Sequence, residues 1–137
     1  MLDTETINKI IEVIQRKHKI NLSQIEKYPQ VEYYKPYVKS ECYFDELAWE
    51  IEEVKKENKF NNAVHLEDEL WDMLWDYMNL LYFLGQEWKI DTVNVTKRCY
   101  KKYLERIEAL ENNISWDTTK KKQKDDLKQE HIKKYEQ

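Results

Sequence analysis

Apolar and polar positions follow a helical period along most of the chain. Ile7, Ile10, Ile11 and Ile14 recur at three- and four-residue spacing, which predicts an amphipathic helix over residues 4 to 19 with Thr4 or Thr6 as its N-cap. The period breaks from Tyr28 to Lys39, where Pro29 and Pro36 punctuate YPQVEYYKPY; this reads as a linker, or a loop pinned by its tyrosines. Those rings can stack on a ligand base or pack on neighbouring helices. A second helix is predicted from Ser40 to about Asn58, with Phe44, Leu47, Ile51 and Val54 on one side. Lys59 to Ala63 is a turn. A third helix from about His65 to Gly85 is the most hydrophobic, and a fourth runs from about Val93 to Asn112. Trp116 leads into a last segment, and no internal repeat is present.

Composition narrows the fold. One glycine and two prolines in 137 residues leave nothing to build a phosphate-cradling Gly-rich loop, a dinucleotide fingerprint or a hairpin-rich β-sandwich. The fold class is therefore all-α, a four- to five-helix bundle. A net charge of −4 and a pI near 5.5 argue against a nucleic-acid partner. Cys42 and Cys99 lack zinc-ligand spacing and read as buried free thiols of a reducing compartment. With no signal-like N-terminal run and no apolar stretch near the ~20 residues of a membrane span, the expected location is cytoplasmic, without a membrane partner. Residues 117–137 hold seven lysines and five acids and read as a solvated helix or a partly disordered tail.

The acids change the picture most. At about 100° per residue, Glu46, Glu50, Glu53 and Glu57 share one stripe of the second helix, and Glu69, Asp72 and Asp76 share one stripe of the third. Around the latter stand Leu70, Trp71, Met73, Leu74, Trp75, Tyr77 and Met78, and a helix apolar on nearly every side is expected to be buried. No lysine lies four residues after Glu69, Asp72 or Asp76. Between Glu41 and Asp76 there are twelve acids and three lysines, a local net of −9. Acidic stripes are often solvated faces, but unpaired acids inside a core-like helix ask for positive charge. Oxygen ligands without His or Cys favour Mg²⁺ or Mn²⁺ over zinc. The absence of any Glu-x-x-His argues against a di-iron bundle.

Trp49–Val54 (WEIEEV), with Glu69–Leu74 (ELWDML) beginning sixteen residues after Glu53, resembles the E-E-x-x-E…E-x-x-D signature of the MazG-like nucleoside triphosphate pyrophosphohydrolases. The resemblance covers roughly Asp45 to Lys120. It implies an all-α enzyme that releases pyrophosphate and leaves a nucleoside monophosphate, with Glu50, Glu53, Glu69 and Asp72 as the catalytic metal ligands. Asn79 stands where the family often has Asn, which implies a substrate-binding role. KKYLERI is similar to the stretch that supplies phosphate contacts, which implies substrate-binding roles for Lys101, Lys102 and Arg106. Trp116 and Lys120 resemble the late W-x-x-x-K, whose ring contacts the nucleotide. Trp49, Glu52, Trp71 and Lys101 depart from the family's usual residues.

The charge inventory leads to Mg²⁺-assisted attack of water on the α-phosphorus, and of the four carboxylates Glu53 is expected to orient or deprotonate the water. The implied organisation is a catalytic domain over residues 1–116, its core helices at 41–112, followed by the lysine-rich segment. A homodimer or higher homo-oligomer is expected, with Trp71, Trp75, Met78 and Tyr82 as core or dimer face. Two alternatives stand beside the broad hydrolase: a dUTP/dCTP-specific all-α enzyme, and a non-catalytic helical nucleotide-binding or regulatory protein.

Overall fold

The computed structural model describes residues 1–136. Among them are five α-helices and no strand: α1 (Thr4–Lys27), α2 (Glu41–Glu57), α3 (Ala63–Gln86), α4 (Thr92–Glu111) and α5 (Trp116–Tyr135), with one 3-10 turn at Pro36–Val38. The all-α expectation holds. No described helix is long and apolar enough to cross a membrane. The chain divides into two compact units, Met1–Ile90 and Asp91–Gln137.

In the first unit, α1 runs two turns further than its isoleucine stripe predicts. Its cap is Asp3 rather than a threonine: the carboxylate accepts the Glu5 N–H and the Thr6 hydroxyl. The tyrosine-rich segment folds on itself, with Tyr33 edge-on to Tyr34 and tilted against Tyr37. α2 and α3 pack against each other across a short turn in which Asn61 takes a left-handed conformation. The core is small and aromatic: Tyr43 stacks on Phe83 at 5.4 Å beside Leu80, with Tyr37, Val38 and Tyr82 around them. α1 adds His18, edge-on to Tyr82 and Phe83. The start of α2 is tied to the end of α3, because the Ser40 N–H and hydroxyl both donate to the Glu87 carboxylate at 2.8 and 2.7 Å.

Two expectations are corrected here. α3 is not buried on every side; only Asp76, Asn79, Leu80 and Phe83 are, while Leu70, Trp71 and Tyr77 face outward. α2 covers one face, and α1 reaches α3 through Lys17 and His18 at Trp75, Asn79, Tyr82 and Phe83, so the sequence's hydrophobicity overstates the burial. Cys99 is exposed and Cys42 only half-buried, although both are free. The single glycine, Gly85, lies inside the last turn of α3; the left-handed position that closes the helix is filled by Trp88 at φ 58°. Its N–H bonds the Gly85 carbonyl while the Lys89 N–H bonds the Leu84 carbonyl, a Schellman ending that glycine usually makes without steric cost.

The second unit is an α4–α5 hairpin. Asp91 caps α4 and Ser115 caps α5. Asn113, at φ 61°, makes the same Schellman turn at the end of α4, with Ile114 N–H on the Ala109 carbonyl. The described part of the lysine-rich segment 117–137 forms α5 as far as Tyr135, a helix with no buried residue; Gln137 lies outside the described residues.

Candidate metal centre and nucleotide cleft

The acidic stripes of α2 and α3 face each other in opposite chain directions. One carboxylate oxygen from each of Glu46, Glu50 and Asp76 lies within 4.8 Å of the others, and the same holds for Glu50, Glu69 and Asp72. Glu50 belongs to both groups. The crowding has an electrostatic signature. Partial burial, then Asp72, Asp76, Glu69 and Glu46, push the Glu50 carboxyl up to about 7. Burial, then Glu46 and Asp72, raise Asp76 to about 6, with Lys17 opposing. Glu69 and Asp72 are raised for the same reasons, loss of solvation first and neighbouring carboxylates second. None of these five acids forms an ion pair among the described residues.

Such a donor set fits hard divalent cations. Oxygens around one ion at about 2.1 Å are separated by roughly 3 to 4.2 Å, so both groups are compact enough to ligate an ion after small side-chain adjustments. A purely carboxylate set without His or Cys suits Mg²⁺ or Mn²⁺.

A cleft of about 360 Å³ opens beside the acids. Glu46, Glu50, Asp72 and Asp76 form its acidic wall; Tyr37, Tyr43, Trp75 and Lys17 form the rest. Lys17 reaches in from α1. Its ammonium donates to the Tyr43 hydroxyl and to Asn79 Oδ1 (2.6 Å), and lies 4.8 Å from the centre of the Tyr43 ring and 5.1 Å from that of Trp75. Burial lowers its pKa to about 8, against the pull of Cys42 and Asp76. Asn79 is wholly buried; its amide also donates to the Trp75 carbonyl.

The residues singled out from the sequence thus fall in two places. Glu50, Glu69 and Asp72 converge in the first unit. Glu53 stands outside both carboxylate groups and accepts from Lys56 at 3.1 Å. Asn79 lies behind Lys17, with no surface of its own to offer a ligand. In the second unit, Lys101, Lys102, Arg106 and Lys120 line a groove between α4 and α5. Arg106 is buried: Nε donates to Gln123 Oε1 at 2.8 Å, and its guanidinium covers Trp116 at 4.9 Å and Tyr103 at 5.5 Å. Gln123 in turn donates to the Lys102 carbonyl and Glu105. Lys101 faces Glu105 at 4.0 Å, and Lys102 lies over Tyr103.

Sequence reasoning placed Glu46 and Asp76 on the acidic stripes but left them out of the ligand set. It missed Lys17 entirely. The signal was present, because Lys17 follows Ile14 by three residues and Ile10 by seven, a cation on the buried face of α1.

The model of the MazG nucleotide pyrophosphohydrolase domain matches residues 30–110, more than half of the chain. The chain belongs to the MazG nucleotide pyrophosphohydrolase family. The matched segment contains α2 and α3 with every acid of the two groups, and most of α4 with Lys101, Lys102 and Arg106. α1 with Lys17, and α5 with Trp116 and Lys120, lie outside it. No curated protein and no solved structure matches the chain.

Proposed function

We propose that the chain is a divalent-metal-dependent nucleoside triphosphate pyrophosphohydrolase, converting a (deoxy)nucleoside triphosphate and water to the monophosphate and pyrophosphate. The observation that carries this reading is the pair of carboxylate groups sharing Glu50, within the segment that matches the family. Four negative charges on a triphosphate cannot settle against this wall unaided. Glu46, Glu50, Glu69, Asp72 and Asp76 are the groups that would hold Mg²⁺ or Mn²⁺. Bound there, the cations offset the charge of the phosphate chain and make water a better nucleophile.

The chain's own residues do the rest. Crowded carboxylates that repel one another are pre-organised to grip cations, so little rearrangement accompanies loading. Glu53, one turn from Glu50 and outside both groups, is assigned to take the proton of the attacking water. Attack at the α-phosphorus forms one P–O bond and breaks the bond to the β-phosphate bridging oxygen, with pyrophosphate as leaving group. Lys101, Lys102 and Lys120 are assigned to phosphate contacts, with Arg106 and Trp116 as the packed seat of their groove. The exposed Trp49, Ile51, Leu70, Trp71 and Tyr77 support assembly as a homodimer through α2 and α3, which sedimentation velocity tests.

Pyrophosphate release from a panel of nucleoside triphosphates, with and without Mg²⁺, tests the activity. Turnover that requires the ion and collapses in Glu53→Gln and Asp72→Asn supports it. A folded protein that binds Mg²⁺ and nucleotide but releases no pyrophosphate is instead a binding or regulatory protein. A protein that binds no ion at all carries a solvated acidic face.

A further inference from the structure

The cleft has a direction, and α3 supplies it. Glu69, Asp72, Asp76 and Asn79 step along one face of the helix, spanning about 15 Å at 1.5 Å per residue. The first three rungs belong to the carboxylate groups. The fourth, Asn79, holds Lys17. Lys17, held by that last rung, lies 4.8 Å from the centre of the Tyr43 ring and 5.1 Å from that of Trp75, and Tyr37 completes the aromatic lining of the cleft. A nucleotide whose phosphates lie over cations at the acidic rungs therefore brings its base toward Lys17 and the rings of Tyr37 and Trp75, since Tyr43 is buried and already stacked on Phe83. Aromatic faces stack on bases of any type. A cleft of about 360 Å³ is of a size to enclose a nucleoside.

Stacking alone does not choose a base; the ammonium between the rings does. Lys17 has three N–H donors and no acceptor. Two are committed, to Tyr43 and Asn79. Its third has no acceptor among the described residues. Tyr43 passes its own hydroxyl proton on to the Tyr37 carbonyl at 3.3 Å, so both seating groups are occupied. Asn79, wholly buried, fixes the ammonium from behind. The cleft end thus presents one immobilised, charged donor in an aromatic frame.

We propose that Lys17 is a specificity-determining residue that donates its third N–H to an exocyclic carbonyl oxygen of the substrate base, selecting guanine, cytosine, uracil and thymine nucleotides over adenine nucleotides. Adenine carries no carbonyl, and its amino donor stands where guanine, uracil and thymine carry one; that donor opposes an ammonium placed to meet the carbonyl, beside N1 and N7 as well. The charged donor is therefore poorly paired once water is displaced. Asn79 and Tyr43 are positioning residues that act through Lys17. Because Lys17 lies outside the family-matched segment, this selection belongs to the chain's own α1. The inference rests on the proposed nucleotide site and on the phosphates facing the acids.

Equilibrium binding of GMP, CMP, UMP and AMP in Mg²⁺ buffer, read by calorimetry, tests the base contact independently of turnover. The wild-type protein binds the three carbonyl-bearing monophosphates at least about tenfold more tightly than AMP. Lys17→Met brings that ratio below about threefold, and Lys17→Arg, which keeps a charged donor, retains a preference. Equal binding of all four by the wild type, no binding of any, or an unchanged preference in Lys17→Met overturns the proposal. So does uniform weakening with the preference intact, which marks Lys17 as a phosphate contact. Thermal melting checks that each variant folds, and the wild-type panel decides the matter even where Lys17→Met does not. Pyrophosphate release, run in parallel, separates failure of the base contact from failure of the activity: base-selective binding without turnover leaves the former standing alone.

Discussion

The α2–α3 pair is strongly acidic and the α4–α5 hairpin is basic, and they treat their charges in opposite ways. Between α4 and α5, the charged and polar groups at the contact have partners. Arg106 is bonded to Gln123, Gln123 to Glu105 and the Lys102 carbonyl, and Arg98 pairs both of its terminal nitrogens with Glu130. Between α2 and α3, five carboxylates crowd together and none forms an ion pair among the described residues. A polar network that satisfies itself holds a fold together; one that leaves like charges unpaired costs stability and is a candidate for ligand binding. The first network satisfies itself; the second is where we propose that the metal ions bind.

The largest expected effect separates the two at once. Glu50→Gln removes the carboxylate common to both groups and lowers kcat/KM for triphosphate hydrolysis by at least about 100-fold, whereas Arg98→Ala, which breaks an exposed pair, leaves it within about twofold. Pyrophosphate release assays on both variants make the comparison. Comparable losses in the two would erase the distinction drawn between the helix pairs.

Stability reverses the ranking. Arg106→Ala strips a buried guanidinium from Gln123 and from two aromatic rings, and is expected to destabilise the hairpin by about 2–4 kcal/mol, read as faster amide exchange in α4 and α5. Glu50→Gln has the opposite sign in metal-free protein, because it relieves repulsion; its urea midpoint at pH 8 lies above that of the wild type.

The pH dependence sharpens the contrast within the first unit. Glu50 titrates near 7 and Asp76 near 6 in the folded protein, against ordinary values of 4.5 and 3.8. The folded state therefore binds more protons than the unfolded chain, and in EDTA its stability rises as pH falls from above 7 toward 4.5. Glu87 runs the other way. Hydrogen bonds from Lys89 and from the Ser40 backbone and hydroxyl hold it near 2, so the stability it adds is present above 4.5 and is lost as pH falls toward 2. Glu50→Gln flattens the upper limb and Glu87→Gln the lower, measured as denaturation midpoints across pH.

The smallest effect concerns a helix end. Trp88 closes α3 in a left-handed conformation that costs a non-glycine residue about 1 kcal/mol. Trp88 is almost fully exposed, so Trp88→Gly is expected to stabilise the first unit by about that amount. Asn113 makes the same turn at α4, and asparagine tolerates it better; Asn113→Gly should yield only a few tenths of a kcal/mol.

Much of this architecture is legible from local pattern. The isoleucine stripe, the near absence of glycine and the four acidic rungs of α2 follow from angular positions about a helix axis. Those positions depend on neighbours three and four residues away. The burial of α3 was misjudged because hydrophobicity around a helix does not say how many partners arrive to cover it. The αL position at Trp88 was missed because the sequence offers Gly85 three residues earlier, and a glycine inside a last turn looks like a cap.

By itself the sequence determined an all-α chain with acids ordered along two helices and a recognisable family signature, since each of these is a property of one segment. Only the tertiary structure decided that Glu50 is shared by two carboxylate groups, that Asp76 joins them, that Lys17 meets Asn79 across 62 positions of chain, and that Arg106 is buried against Trp116. Each of those depends on the register in which one helix packs against another. That register is set by the summed fit of many side chains, and it decides which charges find a partner and which do not.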